Sequence, residues 1–342
     1  TIAMDDTPYT ARDLGIVVGR LPTGEHNAIT DVPGVRVGHV TIDDGGDGHT
    51  GVTAIVADQL TADRPALPCA VFTGNGFGKL VGSTQVDELG ALETPIVLTA
   101  TLSVFRAADA VLTYMMALPG YQRARSINPV VGETNDGHLS DIRARPVTER
   151  HVLDALAGAT SGPVAEGCVG AGTGTVALGY KAGIGTSSRV VRIGGAAVTV
   201  GALVQANFSG TLQVLGVPLP AQELLAEAGK GGGDEDPEGN SCMIVIATDA
   251  PLDARQLGRI ARRAVFAMGR VGSDFAGGSG DYAIAFCCAD PADPPIPEPR
   301  LDRLFTAAGD AVEEALLDSL FAATDTLGFE GHRQLAVPHD RA

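Results

Sequence analysis

A serine at the start of an apolar stretch is the residue of this sequence whose surroundings most clearly suggest a chemical role. Ser241 follows Asn240 and precedes the apolar residues 242–247. The acidic, glycine-rich segment 230–239 has little to bury, so we expect an exposed loop open to cleavage. Cleavage before Ser241 would give it a free α-amine, a base near neutral pH beside its own hydroxyl. A plain loop-to-strand junction also fits, because serine is common in turns.

Other segments could complete such a site. Asn207 ends an apolar stretch, and its amide could donate a hydrogen bond to a developing oxyanion. Ser279 and Asp281 are two residues apart, so in an extended chain both side chains point to one face. Together they could hold and aim an α-ammonium group. Each of these residues also fits a simpler role in a turn at a strand end.

Two acidic side chains form a further candidate, for binding a substrate amine. Glu133 and Asp136 lie in the short segment 131–137. Either carboxylate could bind an amine, and either could equally be a salt-bridged surface residue. The residues alone leave this choice open.

Composition excludes several classes of protein. The 342 residues are 44% hydrophobic with 45 glycines, which is typical of a globular α/β protein. A net charge of −17 disfavours nucleic acid and anionic membranes as partners and would attract a substrate with a free amine. Five scattered cysteines without a CxxC pair predict neither a disulfide framework nor a zinc site.

Hydrophobic periodicity and turn residues predict a mixed set of strands and helices. Strands are expected at 35–41, 51–56, 70–72, 96–99, 198–207, 241–247 and 282–286, and helices at 103–116, 149–157, 221–228, 254–270 and 304–321. Ser103 and Thr148 are the expected N-caps of two of these helices. Strands outnumber the crossovers of a simple doubly wound sheet, so a layered α/β/β/α arrangement in one domain, 1–342, fits better.

A set of segments in this order resembles one known family. They are HNAITDVPGVRVGH at 26–39, PIVLTATLSV at 95–104, VVGETNDG at 130–137, GPVAEGCVGAGTGT at 162–175, KAGIGTSSR at 181–189, LVQANF at 203–208, NSCMIVIATDAPL at 240–252 and GSGDYAIAF at 278–286. They are similar to the L-aminopeptidase/D-esterase-amidase family, which includes the β-peptidyl aminopeptidases. The resemblance covers residues 25–290.

The resemblance implies a fold and an activity. Its members have a four-layer α/β/β/α sandwich, like N-terminal-nucleophile hydrolases but with different connectivity. They cut themselves before the serine, which here would give an α-chain 1–240 and a β-chain 241–342. They remove N-terminal residues from small peptides, amides or esters with a free amine, without metal or cofactor, and commonly assemble as tetramers of cut protomers.

The resemblance also assigns roles. Ser241 matches the nucleophile and new N-terminus, and Asn207 matches the oxyanion-stabilising amide. Ser279 and Asp281 match the pair that orients the nucleophile, and Glu133 matches the acid that receives the substrate amine.

Three positions qualify this match. Asn135, a predicted substrate-binding residue, stands where relatives often have tyrosine. Cys168 stands where asparagine is usual and is expected to alter a pocket wall. Cys242 could be mistaken for the nucleophile, but cutting before it would place the amine one residue out of register.

Two alternatives remain at this point. An acyltransferase of the ornithine-acetyltransferase type would share the architecture, although its members typically have threonine at the cut site. An uncleaved, non-catalytic binding protein is the other. The beginning of the sequence lacks the pattern of a signal peptide, so we expect a cytoplasmic location, with a periplasmic one still open.

Overall fold

The computed structural model of the protein describes residues 9–229 and 240–339. The predicted exposed loop 230–239 therefore lies outside the described residues. No helix in the two described ranges is both long enough and apolar enough to cross a membrane.

The α-helices of the described ranges agree closely with those predicted from periodicity. They are α1 (Ser83–Leu89), α2 (Val104–Ala117), α3 (Glu149–Ala157), α4 (Ala221–Glu227), α5 (Ala254–Arg270) and α6 (Asp302–Phe321). Ser103 and Thr148 occupy the N-cap positions of α2 and α3, but the Ser103 side chain makes no capping hydrogen bond. The prediction missed α1, which lies between Gly82 and Gly90, both in the left-handed conformation.

The strands include every one that the sequence predicted. The prediction missed two longer strands, 130–134 and 184–193, and several strands of two residues. The strands of the described ranges are β1 (Val35–Asp43), β2 (His49–Ala57), β3 (Leu67–Gly76), β4 (Ala91–Leu92), β5 (Ile96–Ala100), β6 (Val130–Thr134), β7 (Val176–Ala177), β8 (Tyr180–Lys181), β9 (Ile184–Ile193), β10 (Ala196–Asn207), β11 (Gln213–Val214), β12 (Val217–Pro218), β13 (Ser241–Thr248), β14 (Gly280–Cys287), β15 (Thr326–Leu327) and β16 (Arg333–Gln334).

Two large sheets form the centre of the fold. One has four strands in the order β1-β2-β5-β6, and the other has six in the order β4-β3-β14-β13-β10-β9. Strands β5 and β6 run parallel, as do β13 and β14, while their other neighbours are antiparallel. Both sheets are therefore mixed.

Strand β13 shows why these sheets stack with helices outside them. Met243 and Val245 face the core between the two sheets, whereas Ile244 and Ile246 face the core under α5 and α6. Because successive side chains alternate between faces, a strand buried on both sides is apolar throughout. On the other sheet, Val52 and its neighbours pack under α2 and α3. The predicted four-layer α/β/β/α sandwich is confirmed.

A buried amide joins the two sheets close to the predicted site. The Gln205 Nε2 group donates to the Thr134 hydroxyl on the facing sheet at 2.8 Å and to the carbonyls of Thr99 and Ala171 at 3.2 and 2.9 Å. Gln205 precedes Asn207 by two residues, and Thr134 follows Glu133. This contact therefore fixes the separation of two predicted site residues that lie on different sheets.

A buried ion pair holds α6 against the six-stranded sheet. The side chains of Arg189, on β9, and Glu314, on α6, are fully buried and 2.6 Å apart. Arg189 also donates to the Ser187 hydroxyl and to the carbonyls of Ser188 and Val18. Glu314 also pairs with the partly exposed Arg12 at 2.6 Å. Removing Arg189 takes away the fully buried cation that faces the Glu314 carboxylate, and breaking such a pair is strongly destabilising.

We expect Arg189→Met to lower the free energy of unfolding by about 3–5 kcal/mol. The matched control is Arg150→Met, which breaks an exposed pair with Asp154 on α3 and should change it by about 0.5 kcal/mol or less. Urea denaturation in a Ser241→Ala background, intended to keep the chain uncut, measures both. Equal effects of the two substitutions would contradict the assigned importance of the buried pair.

Candidate active site

The peptide bond before Ser241 is held from several sides in the uncut chain. The Ser241 hydroxyl lies 2.5 Å from the Asn240 carbonyl oxygen, which also accepts the Gly280 N–H at 3.3 Å. The Asn240 side chain donates to the Ser209 hydroxyl at 2.9 Å. The bond predicted to break is thus fixed beside its own candidate nucleophile, and the Gly280 N–H already points at its oxygen. Sequence reasoning missed Gly280.

Strand register places Asn207 directly opposite Ser241. The two residues pair across β10 and β13, and both are buried. The Asn207 amide oxygen accepts the backbone N–H of Val176 at 3.0 Å. Because a backbone N–H can only donate, this contact orients the amide and directs its NH₂ group elsewhere. The NH₂ group is the part of the side chain that can stabilise negative charge.

Ser279 and Asp281 form a buried pair behind the strand ends. The Ser279 hydroxyl donates to Asp281 Oδ1 at 2.6 Å, and Asp281 Oδ2 has no hydrogen-bond partner among the described residues. Burial raises the pKa of Asp281 to about 6. Within 9–229 and 240–339, neither residue hydrogen bonds to Ser241 in the uncut chain. The loop before Ser279 is anchored by the amide of Asn75, which donates to the carbonyls of Ala276 and Gly277.

A pocket of about 360 Å³ opens beside Ser241. Its lining residues are Gly76, Phe77, Gly78, Lys79, Thr101, Glu133, Asn135, Asn240, Ser241 and Gly278. Four of the predicted site residues are thus brought together at one pocket. Asn207, Ser279 and Asp281 do not line it.

Glu133 contacts a lysine that sequence reasoning missed. Its Oε1 atom accepts the Lys79 backbone N–H at 2.8 Å and lies 3.6 Å from the Lys79 ammonium nitrogen. The same ammonium donates to the Thr101 hydroxyl at 2.7 Å. Lys79 follows a glycine-rich stretch at the end of β3, which gave only a weak signal in the sequence. The pocket therefore holds a carboxylate and an ammonium group side by side.

The segment after Glu133 divides between the pocket and the core. Asn135 lines the pocket, and its side-chain oxygen accepts the Gly137 N–H at 3.0 Å, which closes a tight turn. Asp136 is buried away from the pocket, and burial raises its pKa to about 7. Of the two acids left open by the sequence, Glu133 is the one that lines the pocket.

Neither Cys168 nor Cys242 lines the pocket beside Ser241. Cys168 lies against Thr324, after α6, and does not line the pocket, so the expectation that it alters a pocket wall is wrong. Cys242 is fully buried on the face of β13 opposite the pocket, and burial raises the pKa of its thiol. Across the described ranges, no group of three or more His, Cys, Asp or Glu residues is placed to hold a metal ion.

The sandwich, with Ser241 as the first residue of a central strand, has a fold of the Ntn-hydrolase-like type. The chain belongs to peptidase family S58, whose family model matches residues 27–334. The predicted membership of the L-aminopeptidase/D-esterase-amidase family is thereby confirmed.

Curated relatives and solved structures agree with this assignment. The chain is 39% identical to the β-peptidyl aminopeptidase BapA of Sphingosinicella xenopeptidilytica, over 97% of this chain and 89% of that protein. It superposes with a TM-score of 0.87 on the β-aminopeptidase of a Burkholderia species, at 38% identity and 97% coverage of both chains. The L-aminopeptidase D-Ala-esterase/amidase of Ochrobactrum anthropi, described as a variant of the Ntn hydrolase fold, gives 0.87 at 37% identity, over 97% of this chain and 96% of that one.

The chain is therefore a hydrolase of the serine aminopeptidase and amidase class, and its substrates are peptides or amides. Neither the acyltransferase nor the non-catalytic binding protein is favoured by these relatives.

Buried Asp281 predicts a specific pH dependence of stability. Its pKa of about 6 in the folded chain exceeds the value of about 3.9 for a free side chain, so the folded state binds this proton more tightly. The resulting stabilisation is complete below about pH 4 and is lost as the pH rises through 6.

In a Ser241→Ala background, Asp281→Asn should therefore reduce the fall in unfolding free energy between pH 4 and pH 8 by about 1–3 kcal/mol. Urea denaturation at several pH values measures this. Asp154→Asn, at an exposed position on α3, controls for the loss of one acidic side chain. If Asp281→Asn leaves the pH profile unchanged, the folded chain does not raise the pKa of the Asp281 carboxyl.

Proposed function

We propose that the chain cleaves itself between Asn240 and Ser241 and then works as an aminopeptidase whose nucleophile and base are both supplied by Ser241. The observation that carries this proposal is the position of the Ser241 hydroxyl, 2.5 Å from the carbonyl oxygen of the preceding residue and opposite Asn207 in the strand register. This oxygen belongs to the carbonyl group that the hydroxyl must attack.

Self-cleavage needs no group from outside the chain except water. The Ser241 oxygen attacks the Asn240 carbonyl carbon, the C–N bond breaks, and the Ser241 nitrogen gains the proton. The resulting ester is then hydrolysed to give the α-chain 1–240 and the β-chain 241–342. The Gly280 N–H, 3.3 Å from the Asn240 oxygen, is placed to stabilise the negative charge that develops there.

The cut provides the base for turnover. The new α-amine of Ser241 takes the hydroxyl proton, and the oxygen attacks the substrate carbonyl, with Asn207 donating to the oxyanion. We assign Asp281 Oδ2, which has no hydrogen-bond partner within 9–229 and 240–339, to the α-ammonium group of Ser241 once the chain is cut; Ser279 holds the same carboxylate through Oδ1. The scissile C–N bond breaks, and the leaving amine takes the proton from the Ser241 ammonium. Water then hydrolyses the acyl-enzyme, and Ser241 is regenerated.

Glu133 is proposed to select substrates with a free N-terminus. It lines the pocket beside Ser241 and is almost fully buried, so an ammonium group there would meet a charge with little competing water. The net charge of −17 would attract such substrates over longer distances. Because the BapA relatives are named β-peptidyl aminopeptidases, we propose that β-linked N-terminal residues are among the substrates.

A homo-oligomer of cut protomers, of which a tetramer is one form, is also proposed. Phe105 and Met116 on α2 are 65% and 56% exposed, and large apolar side chains on one outer helix are suited to an interface. The cytoplasmic location stays a prediction.

Ser241→Ala tests the proposed function. We expect the parent protein to run as two chains under denaturing conditions and the variant as one, with kcat on a β-homoalanyl p-nitroanilide reduced at least about 10⁴-fold. Cys242→Ala, the matched control, should still give two chains and an active enzyme. A Ser241→Ala protein with activity close to that of the parent would overturn the proposal.

Asn207→Ala tests the oxyanion role. Removing one such donor typically costs about 10²–10³ in rate, so both self-cleavage and peptide hydrolysis should slow by that order. Asn128→Ala, which removes an amide that donates to the Gly82 carbonyl, is the control and should cleave at nearly the parent rate. Rates from denaturing gels and from substrate assays would contradict the role if the two variants behaved alike.

A further inference from the structure

The pocket beside Ser241 contains one positive and one negative side chain in contact. Among its described lining residues, Lys79 and Glu133 are the two charged ones, and their charged groups lie 3.6 Å apart. The Lys79 side chain is 42% exposed, whereas that of Glu133 is 2% exposed. The ammonium of Lys79 therefore faces the space that a substrate must enter.

This arrangement is unfavourable for binding a substrate residue whose only charged group is an ammonium. Such a group, placed at Glu133, would lie close to the Lys79 ammonium, and the two like charges would repel. The Thr101 hydroxyl accepts from Lys79 at 2.7 Å and holds it at this position. A substrate that carries a carboxylate beside its ammonium would instead match both side chains.

We infer that this pocket selects N-terminal β-aspartyl residues, in which one carbon carries both the free ammonium and a free carboxylate. The ammonium would pair with Glu133 and the carboxylate with Lys79. In an ordinary α-linked residue, the carboxyl on that carbon is itself the amide to be cut, so no free carboxylate remains there. The inference rests on the proposed function, because it names a substrate class for the same Ser241 site.

A β-aspartyl residue has the same number of atoms between its amine and the scissile carbonyl as other β-linked residues. In a β-aspartyl residue, one CH₂ group separates the carbon that bears both charges from the amide carbonyl, as in other β-amino acids. Ser241 would form an ester with that carbonyl while the amide nitrogen leaves as the amine of the shortened peptide. Water then cleaves the ester, so the products are aspartate and the remaining peptide. One water molecule is consumed.

The experiment compares three substrates with the same leaving group. They are β-aspartyl-leucine, β-homoalanyl-leucine, which has a methyl group in place of the carboxylate, and γ-glutamyl-leucine, which has one additional CH₂. For the parent enzyme we expect kcat/KM to be at least about tenfold higher for β-aspartyl-leucine than for either of the others, the value of one charge-assisted hydrogen bond.

Lys79→Met should change the two β-linked substrates in opposite directions. We expect kcat/KM for β-aspartyl-leucine to fall about tenfold or more, and that for β-homoalanyl-leucine to rise because a repelling charge is removed. The backbone N–H of Lys79, which donates to Glu133, is retained in this variant. Lys79→Arg should keep the preference for the β-aspartyl substrate. An equal loss on both substrates would indicate a structural role and overturn the inference.

The outcomes separate the inference from the function on which it rests. If the parent hydrolyses β-homoalanyl-leucine as well as it does β-aspartyl-leucine, the inference fails while the aminopeptidase function stands. If γ-glutamyl-leucine is preferred, the β spacing is wrong. If none of the three is cut but the β-homoalanyl p-nitroanilide is, the inference fails and the aminopeptidase function stands; if that compound is not cut either, both proposals fail. Should Lys79→Met not fold, Thr101→Val, which removes the hydroxyl that holds Lys79, must reduce the β-aspartyl preference for the inference to survive.

Discussion

The register of three neighbouring strands is the constraint on which the site depends. Ser241 pairs with Asn207 on one side, in antiparallel register, and with Gly280 on the other, in parallel register. A shift of one residue in either pairing would turn the serine to the opposite face, because side chains alternate along a strand. Both faces of β13 are buried, so such a shift would have to repack the core on each side of the strand. The core thus fixes the position of the nucleophile.

The rest of the site follows from how the two sheets are held together. Glu133 comes from the four-stranded sheet and Ser241 from the six-stranded one, and Gln205 joins the two sheets close to both. Burial and neighbouring charges then determine how the acidic groups of the site are protonated and paired. Asp281, fully enclosed, has a pKa raised to about 6, at a cost to stability in its charged form. The Glu133 carboxylate is matched by the Lys79 ammonium. The site's charges are thus set by the same packing that sets its geometry.

Much of this could be predicted from the sequence, and the remainder has physical reasons. The β13 strand was recognisable because its two buried faces make it continuously apolar, and Asn207 and Asp281 because they stand at strand ends. Periodicity says nothing about contacts between distant segments, so the contact of Lys79 with Glu133 and the N–H of Gly280 were missed. The expectation that Cys168 alters a pocket wall was wrong for the same reason, since Cys168 lies beside Thr324.

The central claim is that breaking the Asn240–Ser241 bond creates the catalytic base. The most direct measurement follows chain scission and hydrolytic activity together, in samples withdrawn from freshly refolded uncut protein, with the new N-terminus identified by mass spectrometry. The account predicts that activity rises in proportion to the fraction of chains that begin with Ser241. Full activity in a sample whose chains are still intact would contradict it.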